Sequence, residues 1–216
     1  MGMSALEKHF VNSQSHTQRV ADQSWQLLSH IDCAGGWRYL DVGCGVGAAA
    51  RKIAETSELS VTGIDIDPDQ IQAARNGAAR ANLQYRVMDA SKLEFADGVF
   101  DVVASRMATH HIPDWERALS EMVRVLRPGG HLLYSDFVFP SWLAKVALLI
   151  RFLSFPTRSA LNLLADKAGL SLVYESHRSG KVDVIWRKNG DAGKSRCGRP
   201  RGVLSAVSKQ QPTRQD

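Results

Sequence analysis

The feature of this 216-residue sequence that most restricts its fold is an alternation of short apolar segments with helical patterns. Between residues 37 and 137, strand-like segments such as WRYLDV, SVTGID and FDVVAS are separated by segments with helical periodicity. Neighbouring parallel strands need crossover connections, which are usually helices. The alternation therefore predicts an α/β fold, a doubly wound, mostly parallel sheet with helices on both faces.

The two ends of the chain differ in composition from its middle and predict three parts. Residues 1–32 mix apolar and polar positions and predict an N-terminal helical cap. Residues 33–188 predict the sheet domain, which closes with a hairpin in SLVYESHRSGKVDVIWRK. Residues 189–216 are rich in Gly, Ser, Gln and basic residues and predict a basic, disordered tail.

The net charge of +5 is concentrated in that tail, which holds six basic and two acidic side chains. The rest of the chain is close to neutral, so it lacks the basic face of a nucleic-acid-binding domain. We therefore expect no DNA partner. The tail is interpreted as a passive solvated end; the alternative is an electrostatic contact with RNA or an anionic surface.

Cysteine, histidine and apolar patterns exclude several other classes. Cys33, Cys44 and Cys197 are odd in number and form no CxxC pair, which argues against a disulfide framework or zinc cluster and suits a cytoplasmic location. The histidines show no metal-binding spacing, so we expect no metal. The longest apolar stretch, LAKVALLIRFL, is too short to span a bilayer, so no transmembrane segment is expected.

A glycine-rich loop, residues 43–47, follows the first predicted strand. In a doubly wound sheet, ligands bind at the carboxyl ends of strands where the strand order reverses. Glycines let the backbone approach a ligand closely. Gly43, Gly45 and Ala48 also fit the dinucleotide pattern, with Asp65 about twenty residues further on. The glycines alone therefore leave a dinucleotide or another nucleoside ligand open.

An acidic residue two positions before the loop, Asp41, favours one of these alternatives. A pyrophosphate at a helix N-terminus is stabilised by positive potential, which a nearby carboxylate opposes. The same carboxylate suits a ligand with an ammonium and a sulfonium but no phosphate, as in S-adenosylmethionine. Asp41 can also cap the loop by accepting backbone N–H groups, and the two roles are compatible.

Two further acids stand at the ends of the second and third predicted strands. Asp65 is placed to accept both hydroxyls of a ribose. Asp89 is placed to accept from an adenine amino group, with the N–H of Ala90 beside it for a ring nitrogen. Ile66 and Met88 are candidates for apolar walls of the adenine site or for core positions. Because three acids in one crevice repel each other, their presence favours a ligand rich in donors.

Five segments occur in a familiar order: YLDVGCGVG, VTGIDIDPDQI, VMDASKLEF, FDVVASRMATHHIPD and RVLRPGGHLLYSDF. Together they resemble the class I S-adenosylmethionine-dependent methyltransferases, nearest to the small-molecule branch that includes ubiquinone and menaquinone biosynthesis enzymes. The resemblance implies a Rossmann-like, seven-stranded sheet with an antiparallel C-terminal edge strand. It also implies that residues 33–188 bind S-adenosylmethionine.

The resemblance further implies where the cofactor is contacted. The implied contacts lie at strand ends and are Asp41, Gly43 and Gly45 for the methionine end, Asp65 for the ribose, and Asp89 with Ala90 for the adenine. Ser105 and Arg106 fall where the family has residues beside the cofactor and the acceptor. The Asn-Pro-Pro-Tyr signature of adenine and glutamine amino methyltransferases is absent, which argues against DNA adenine as the acceptor.

The chemistry expected of such a protein is an in-line displacement, for which alignment and exclusion of water are the main tasks. His110 and His111 are the candidate catalytic bases, because imidazole titrates near neutral pH. Asp136, at the end of the fifth predicted strand, is a further acid of the crevice. Each histidine has a structural alternative, which is capping of the next helix or packing under the fourth strand.

The acceptor is the least constrained part of the prediction. We expect a small molecule, and the apolar segment 142–155 suits a lid over a quinone-, lipid- or polyketide-like acceptor. The same segment also suits an amphipathic helix that covers the sheet. The alternatives for function are an NAD(P)-dependent oxidoreductase, an RNA methyltransferase that uses the tail, and a non-catalytic cofactor-binding protein.

Overall fold

The computed structural model, which describes residues 13–138, 156–178 and 180–190, contains one seven-stranded sheet with helices on both faces. The strands are β1 (Arg38–Val42), β2 (Ser60–Asp65), β3 (Leu83–Val87), β4 (Phe100–Arg106), β5 (Leu126–Phe137), β6 (Leu170–Arg178) and β7 (Lys181–Lys188). The helices are α1 (Gln14–Leu28), α2 (Ala48–Thr56), α3 (Pro68–Arg75), α4 (Trp115–Val125) and α5 (Arg158–Lys167), and a short 3₁₀ turn covers Thr109–His111. The predicted α/β class is confirmed.

The strand order is β3-β2-β1-β4-β5-β7-β6, and the order reverses between β1 and β4. The pairs among β1 to β5 are parallel, whereas β7 is antiparallel to both β5 and β6. The mostly parallel sheet with an antiparallel C-terminal strand is therefore confirmed. That strand does not lie at the edge as expected, because the hairpin returns β7 into the space between β5 and β6. The edge strand is β6.

Two apolar clusters pack on opposite faces of the sheet. Leu40 and Val42 of β1 point into the cluster that contains α4 and α5, whereas Tyr39 joins the cluster that contains α1 and α2. Since side chains alternate along a strand, Asp41 shares the face of Tyr39, towards α1 and α2. The fold thus gives the end of β1 one apolar side and one side that carries a carboxylate.

Local sequence signals explain where the helices begin. Asp114, the N-cap of α4, accepts a hydrogen bond from the N–H of Arg117 at 3.3 Å. Asp67 caps α3 in the same way, by accepting from the N–H of Asp69 at 2.9 Å, and Pro68 takes the first helical position. A capping oxygen satisfies an N–H that the helix itself leaves unbonded.

Parts of the predicted organisation lie outside the described residues. The helical cap is seen only as α1, and the apolar segment 142–155 and residues 191–216 are not described, so the domain boundaries, the lid and the tail stay predictions. Within the part of the chain that is described, no helix is both long and apolar enough to cross a bilayer. In the same residues, no group of three or more His, Cys, Asp or Glu side chains is arranged to hold a metal ion.

Gly130 lies in β5, and its close surroundings predict how a substitution there changes stability. A Cβ at this position would lie 2.7 Å from the carbonyl oxygen of Asp101 and 3.0 Å from that of Arg127, and neither backbone atom can move freely. We expect Gly130→Ala to lower the free energy of unfolding by roughly 1–3 kcal/mol, measured by urea denaturation. The control is Gly190→Ala, whose Cβ would meet no atom within 4 Å and which should change stability by less than about 0.5 kcal/mol. Equal effects of the two substitutions would contradict this account.

Candidate functional site

The polar residues predicted at the strand ends lie at the carboxyl ends of neighbouring strands of the sheet. Asp41 on β1 is aligned with Gly63 on β2 and with Ala104 on β4. Ser105, the next residue of β4, is aligned with Val42 and is 2% exposed, and its buried Oγ has no hydrogen-bond partner among the described residues. These residues therefore lie where the strand order reverses, the position at which doubly wound sheets bind ligands.

The glycine loop after β1 forms a cradle whose backbone is left-handed at three positions. Gly43, Gly45 and Gly47 have φ of 75°, 54° and 74°, a region that side chains with a Cβ rarely adopt. A Cβ on Gly43 would lie 2.4 Å from the Cβ of Ala108, which closes one side of the cradle. A Cβ on Gly45 would meet only the side-chain oxygen of Gln70, at the ordinary contact distance of 3.9 Å, so its positive φ rather than crowding is what favours glycine there.

Asp65, at the end of β2, ties the loop to the sheet. Its Oδ2 accepts from the N–H of Gly45 at 2.9 Å, and its Oδ1 accepts from the N–H of Asp67 at 3.0 Å. A carboxylate has about four acceptor positions, so these bonds leave capacity for a ligand. Sequence reasoning predicted the ligand contact and missed this structural role. The ribose contact itself stays a prediction.

Asp41 is a buried carboxyl group, 4% exposed, and its Oδ2 has no hydrogen-bond partner in the described part of the chain. Burial, and secondly the charge of Asp65, raise its pKa from 3.8 to about 7, against a backbone hydrogen bond from Ala50 and the charge of Arg106. The Ala50 bond comes from helix α2 and not from the glycine loop that Asp41 was predicted to cap. An unbonded buried carboxylate oxygen is costly unless a donor reaches it, so Asp41 fits a cationic ligand group.

The residues predicted for adenine follow β3, except Ile66, which follows β2. The structure separates Ile66 from Met88. Ile66 is 68% exposed and can form a wall, whereas Met88 is 8% exposed and belongs to the core. Ala90 is half-buried and packs against the same core. Asp89 is exposed, and its Oδ1 accepts from both the N–H and the Oγ of Ser91 at 2.8 Å. The remaining oxygen of Asp89 is the one suited to a ligand.

A buried hydrogen-bond network lies at the ends of β4 and β5. His110 Nδ1 lies 2.6 Å from Oδ1 of Asp136, whose side chain is 1% exposed. Asp136 also accepts from the Thr109 hydroxyl at 2.5 Å, and that hydroxyl lies 2.7 Å from the Tyr134 hydroxyl. Because Asp136 holds one ring nitrogen, the other nitrogen of His110 is the one suited to proton transfer.

His111 differs from its neighbour in its surroundings. Its ring lies 4.0 Å from that of His110 at 43°, and the residue is exposed. The Asp136 carboxylate orients the ring of His110, which supports His110 as the candidate base. The sequence could not separate the two, because both follow β4 within the same short turn.

The turn that carries these residues is strained. Met107, between β4 and the 3₁₀ turn, has a φ of 50°, which is uncommon for a residue other than glycine. Its N–H bonds to the carbonyl of Ser135 at 2.7 Å. The bend directs Ala108 towards Gly43 and carries His110 to Asp136. Strained backbone of this kind is common beside functional sites, and no sequence signal predicted it here.

Tyr85 on β3 is a site residue that sequence reasoning missed. Its hydroxyl donates to the carbonyl of Gly47 at 3.0 Å, and its ring fills the space that a Cβ on Gly47 or Gly63 would occupy. Arg51 Nη2 also donates to the carbonyl of Val46 at 3.3 Å. One signal was available, because a glycine inside a strand often marks a close approach, as Gly63 does here.

Comparison with known proteins shows that this chain is similar to methyltransferases. Residues 40–134 match the model of a family described as a methyltransferase domain. Over 160 residues the chain is 35% identical to methyltransferase GfsG of Streptomyces halstedii, a match that covers 68% of this chain and 58% of the relative. Over 103 residues it is 41% identical to 2-methyl-6-phytyl-1,4-hydroquinone methyltransferase of Synechocystis, which covers 47% of this chain and 32% of the relative.

A solved structure supports the fold. The structure of a putative methyltransferase from Bacillus halodurans superposes with a TM-score of 0.66, at 20% identity, over 78% of this chain and all of that one. At this identity the likeness concerns the fold alone. The chain spans about half the length, or less, of the curated relatives it matches, so their activities do not transfer to it directly.

The contact between Tyr85 and Gly63 predicts an energetic coupling. A Cβ on Gly63 would lie 2.7 Å from Cδ1 of the Tyr85 ring, so Gly63→Ala should lower the free energy of unfolding by roughly 1–3 kcal/mol. In a Tyr85→Ala background the added methyl group finds space, and the same change should cost clearly less. Urea denaturation of both single variants and the double variant measures the coupling, expected at about 0.5 kcal/mol or more. Strict additivity would refute the proposed contact.

Proposed function

Residues 40–134 of the chain form a methyltransferase domain of the class I S-adenosylmethionine-dependent type, and from this premise we propose that the protein transfers a methyl group to a small-molecule acceptor. One observation carries the proposal. It is the buried, unbonded carboxylate oxygen of Asp41, two residues before the glycine loop. A cation without phosphate suits that position, whereas a diphosphate does not.

The described residues fit S-adenosylmethionine, which supplies, when bound, an activated methyl group on a sulfonium. Asp41 is suited to the ammonium, and Gly45, which has no side chain, to close approach of the ligand. Asp65 retains acceptor capacity for the ribose, and Asp89 for the adenine amino group beside the exposed side chain of Ile66. These assignments are supported by geometry and by the resemblance of the motifs.

His110 is the residue that we propose as the base. Asp136 orients its ring through Nδ1, so the second nitrogen can accept a proton from an acceptor hydroxyl or amine. Asp136 is a positioning residue, because it acts through the histidine. Thr109 and Tyr134 complete the network and keep the carboxylate in place.

The proposed class of acceptor has less support than the proposed cofactor. One relative is named for a hydroquinone with a phytyl chain, which agrees with the proposed quinone-, lipid- or polyketide-like acceptor. The family match favours methyl transfer over the oxidoreductase alternative. The RNA alternative depends on the tail, which lies outside the described residues. Cysteine usage supports the proposed cytoplasmic location.

The first test is binding of S-adenosylhomocysteine, the demethylated product, by calorimetry as a function of pH. Below a pH of about 7, Asp41 holds a proton in the free protein, and a bound ammonium favours the ionised form. Binding should therefore expel a proton, and affinity should rise between about pH 6 and about pH 8.

The matched control is Asp41→Asn, which keeps the shape of the side chain and removes its charge. We expect roughly 10- to 100-fold weaker binding near pH 8 and a flatter pH profile. If the folded wild-type protein binds no S-adenosylhomocysteine, the proposed function is wrong. If it binds with the same pH profile as the Asn variant, only the role of Asp41 is wrong.

A second prediction concerns the base. His110→Asn can keep a hydrogen bond to Asp136 but cannot take up a proton, so turnover should fall by about 10²–10⁴-fold. Affinity for S-adenosylhomocysteine should be unchanged. Turnover is followed as release of that product from a panel of hydroquinones, fatty acids and phenolic polyketides. The control His111→Asn should retain most activity, and a similar loss in both variants would argue against His110.

A further inference from the structure

A groove lies between helices α4 and α5, on the face of the sheet opposite α1 and α2. Its volume is about 380 Å³, and its walls are mostly apolar, with Val123 from α4 and Ala160, Leu163 and Leu164 from α5. Leu163 is 55% exposed, so among the described residues none covers it fully. The groove therefore presents apolar surface to water, and a segment that filled it would gain from removing that surface.

The two helices run side by side in the same direction, which gives the groove two distinct ends. α4 leads directly into β5, and α5 leads into β6 through Gly169. Strands β5 and β6 are parallel to each other, because both are antiparallel to β7. The last turns of α4 and α5 therefore lie where β5 and β6 begin, at the sheet edge opposite the crevice. Lys167 lines this end of the groove, and Glu116, in the first turn of α4, lines the other.

The described chain leaves the sheet at the same end of the groove as Lys167. Strand β7 ends at Lys188, whose ammonium donates to the carbonyl oxygen of Val123, in the last turn of α4, at 2.7 Å. The N–H of Asn189 donates to the carbonyl oxygen of Gly169, just after α5, at 2.9 Å. The chain that follows residue 190 therefore starts beside the last turns of both helices.

Residues 191–216, which lie outside the described part of the chain, contain one apolar run. It is VLSAV, residues 203–207, and it stands among small, polar and charged residues. Twelve residues, 191–202, precede it, and twelve extended residues span up to about 40 Å. The groove follows α5, a helix of 10 residues, so it is about 15 Å long, which about five extended residues match. The run therefore has both the reach and the length for the groove.

The charges near the run complement those of the groove. Basic residues flank the run on both sides, Arg201 before it and Lys209 after it, so a base reaches Glu116 in either direction of docking. Asp191 is the first residue beyond the described chain end, on the side where Lys167 lies. Exposed ion pairs of this kind contribute little stability, so they favour one site over others and the apolar contact supplies most of the attraction.

We propose that residues 203–207 dock in the groove between α4 and α5 of the same chain. The inference is independent of the proposed function, because the groove contains none of the residues assigned to the cofactor or the base. Since the run is tethered beside the groove, its local concentration is high, and a modest apolar contact is enough to keep it bound. The basic tail then has a docking role in place of that of a passive solvated end. A second copy of the chain is the alternative occupant.

The test is amide hydrogen exchange of the full-length protein, followed by mass spectrometry. A docked segment must leave the groove before its amides exchange, so residues 203–207 should exchange about tenfold or more slowly than an unstructured peptide of the same sequence. In Leu163→Asp, a charge replaces the exposed apolar side chain of the groove. The protection of residues 203–207, whose own sequence is unchanged, should then be lost.

The matched control is Leu172→Asp, which makes the same substitution at a leucine of β6 that is 56% exposed and does not line the groove. This variant should keep the protection. Leu204→Asp changes the other partner and should abolish the protection, whereas Thr213→Asp, which adds the same charge outside the run, should not. Thermal unfolding checks that each variant is folded, and Leu204→Asp provides the comparison if Leu163→Asp fails to fold.

Three results would overturn the proposal. The first is exchange of residues 203–207 in the wild-type protein at the rate of the unstructured peptide. The second is protection that survives in folded Leu163→Asp, which would place the run elsewhere. The third is protection that disappears on about 100-fold dilution together with a dimer seen by sedimentation, which would assign the groove to a second copy. Affinity for S-adenosylhomocysteine should stay within about twofold in all variants, and its absence in the wild-type protein would contradict only the proposed function.

Discussion

The burial of a carboxyl group at the end of β1 is the constraint on which the rest of the site depends. Asp41 is almost fully enclosed, has an unbonded oxygen, and has its pKa raised to about 7. Such a group destabilises the unliganded protein unless a cation reaches it. We propose that the arrangement exchanges stability of the free protein for recognition of a positively charged ligand, as binding sites commonly do.

The neighbouring elements give that carboxyl group a preorganised setting. Asp65 of β2 binds the middle of the glycine loop and Tyr85 of β3 binds its end, so the loop is held by two strands rather than by its own short sequence. On the other side, the strained backbone at Met107 brings His110 to Asp136. The proposed cofactor site and the proposed base thus lie together at the carboxyl ends of the strands. Support from a sheet favours alignment for group transfer.

Much of this arrangement was predictable because it follows from local periodicity. Strand–helix alternation predicts a parallel sheet, and a parallel sheet brings the strand-end acids Asp41 and Asp65 to one edge. The same reasoning could not separate Ile66 from Met88, since both are apolar and stand next to a strand-end acid. Exposure separates them, because Ile66 lies on the surface and Met88 is in the core. Reasoning from the sequence also placed β7 at the sheet edge, because a hairpin pattern does not specify which of its strands pairs with β5.

By itself, the sequence determined the class of fold, the position of the glycine loop and the acids that surround it, because these depend on spacing along one or two neighbouring elements. Only the tertiary structure decided that His110 contacts Asp136, that Tyr85 supports the loop, and that Arg106 stands beside Asp41. These pairs are far apart in sequence or differ only in the direction of a side chain. Their distances are set by how the strands pack, which no local pattern encodes.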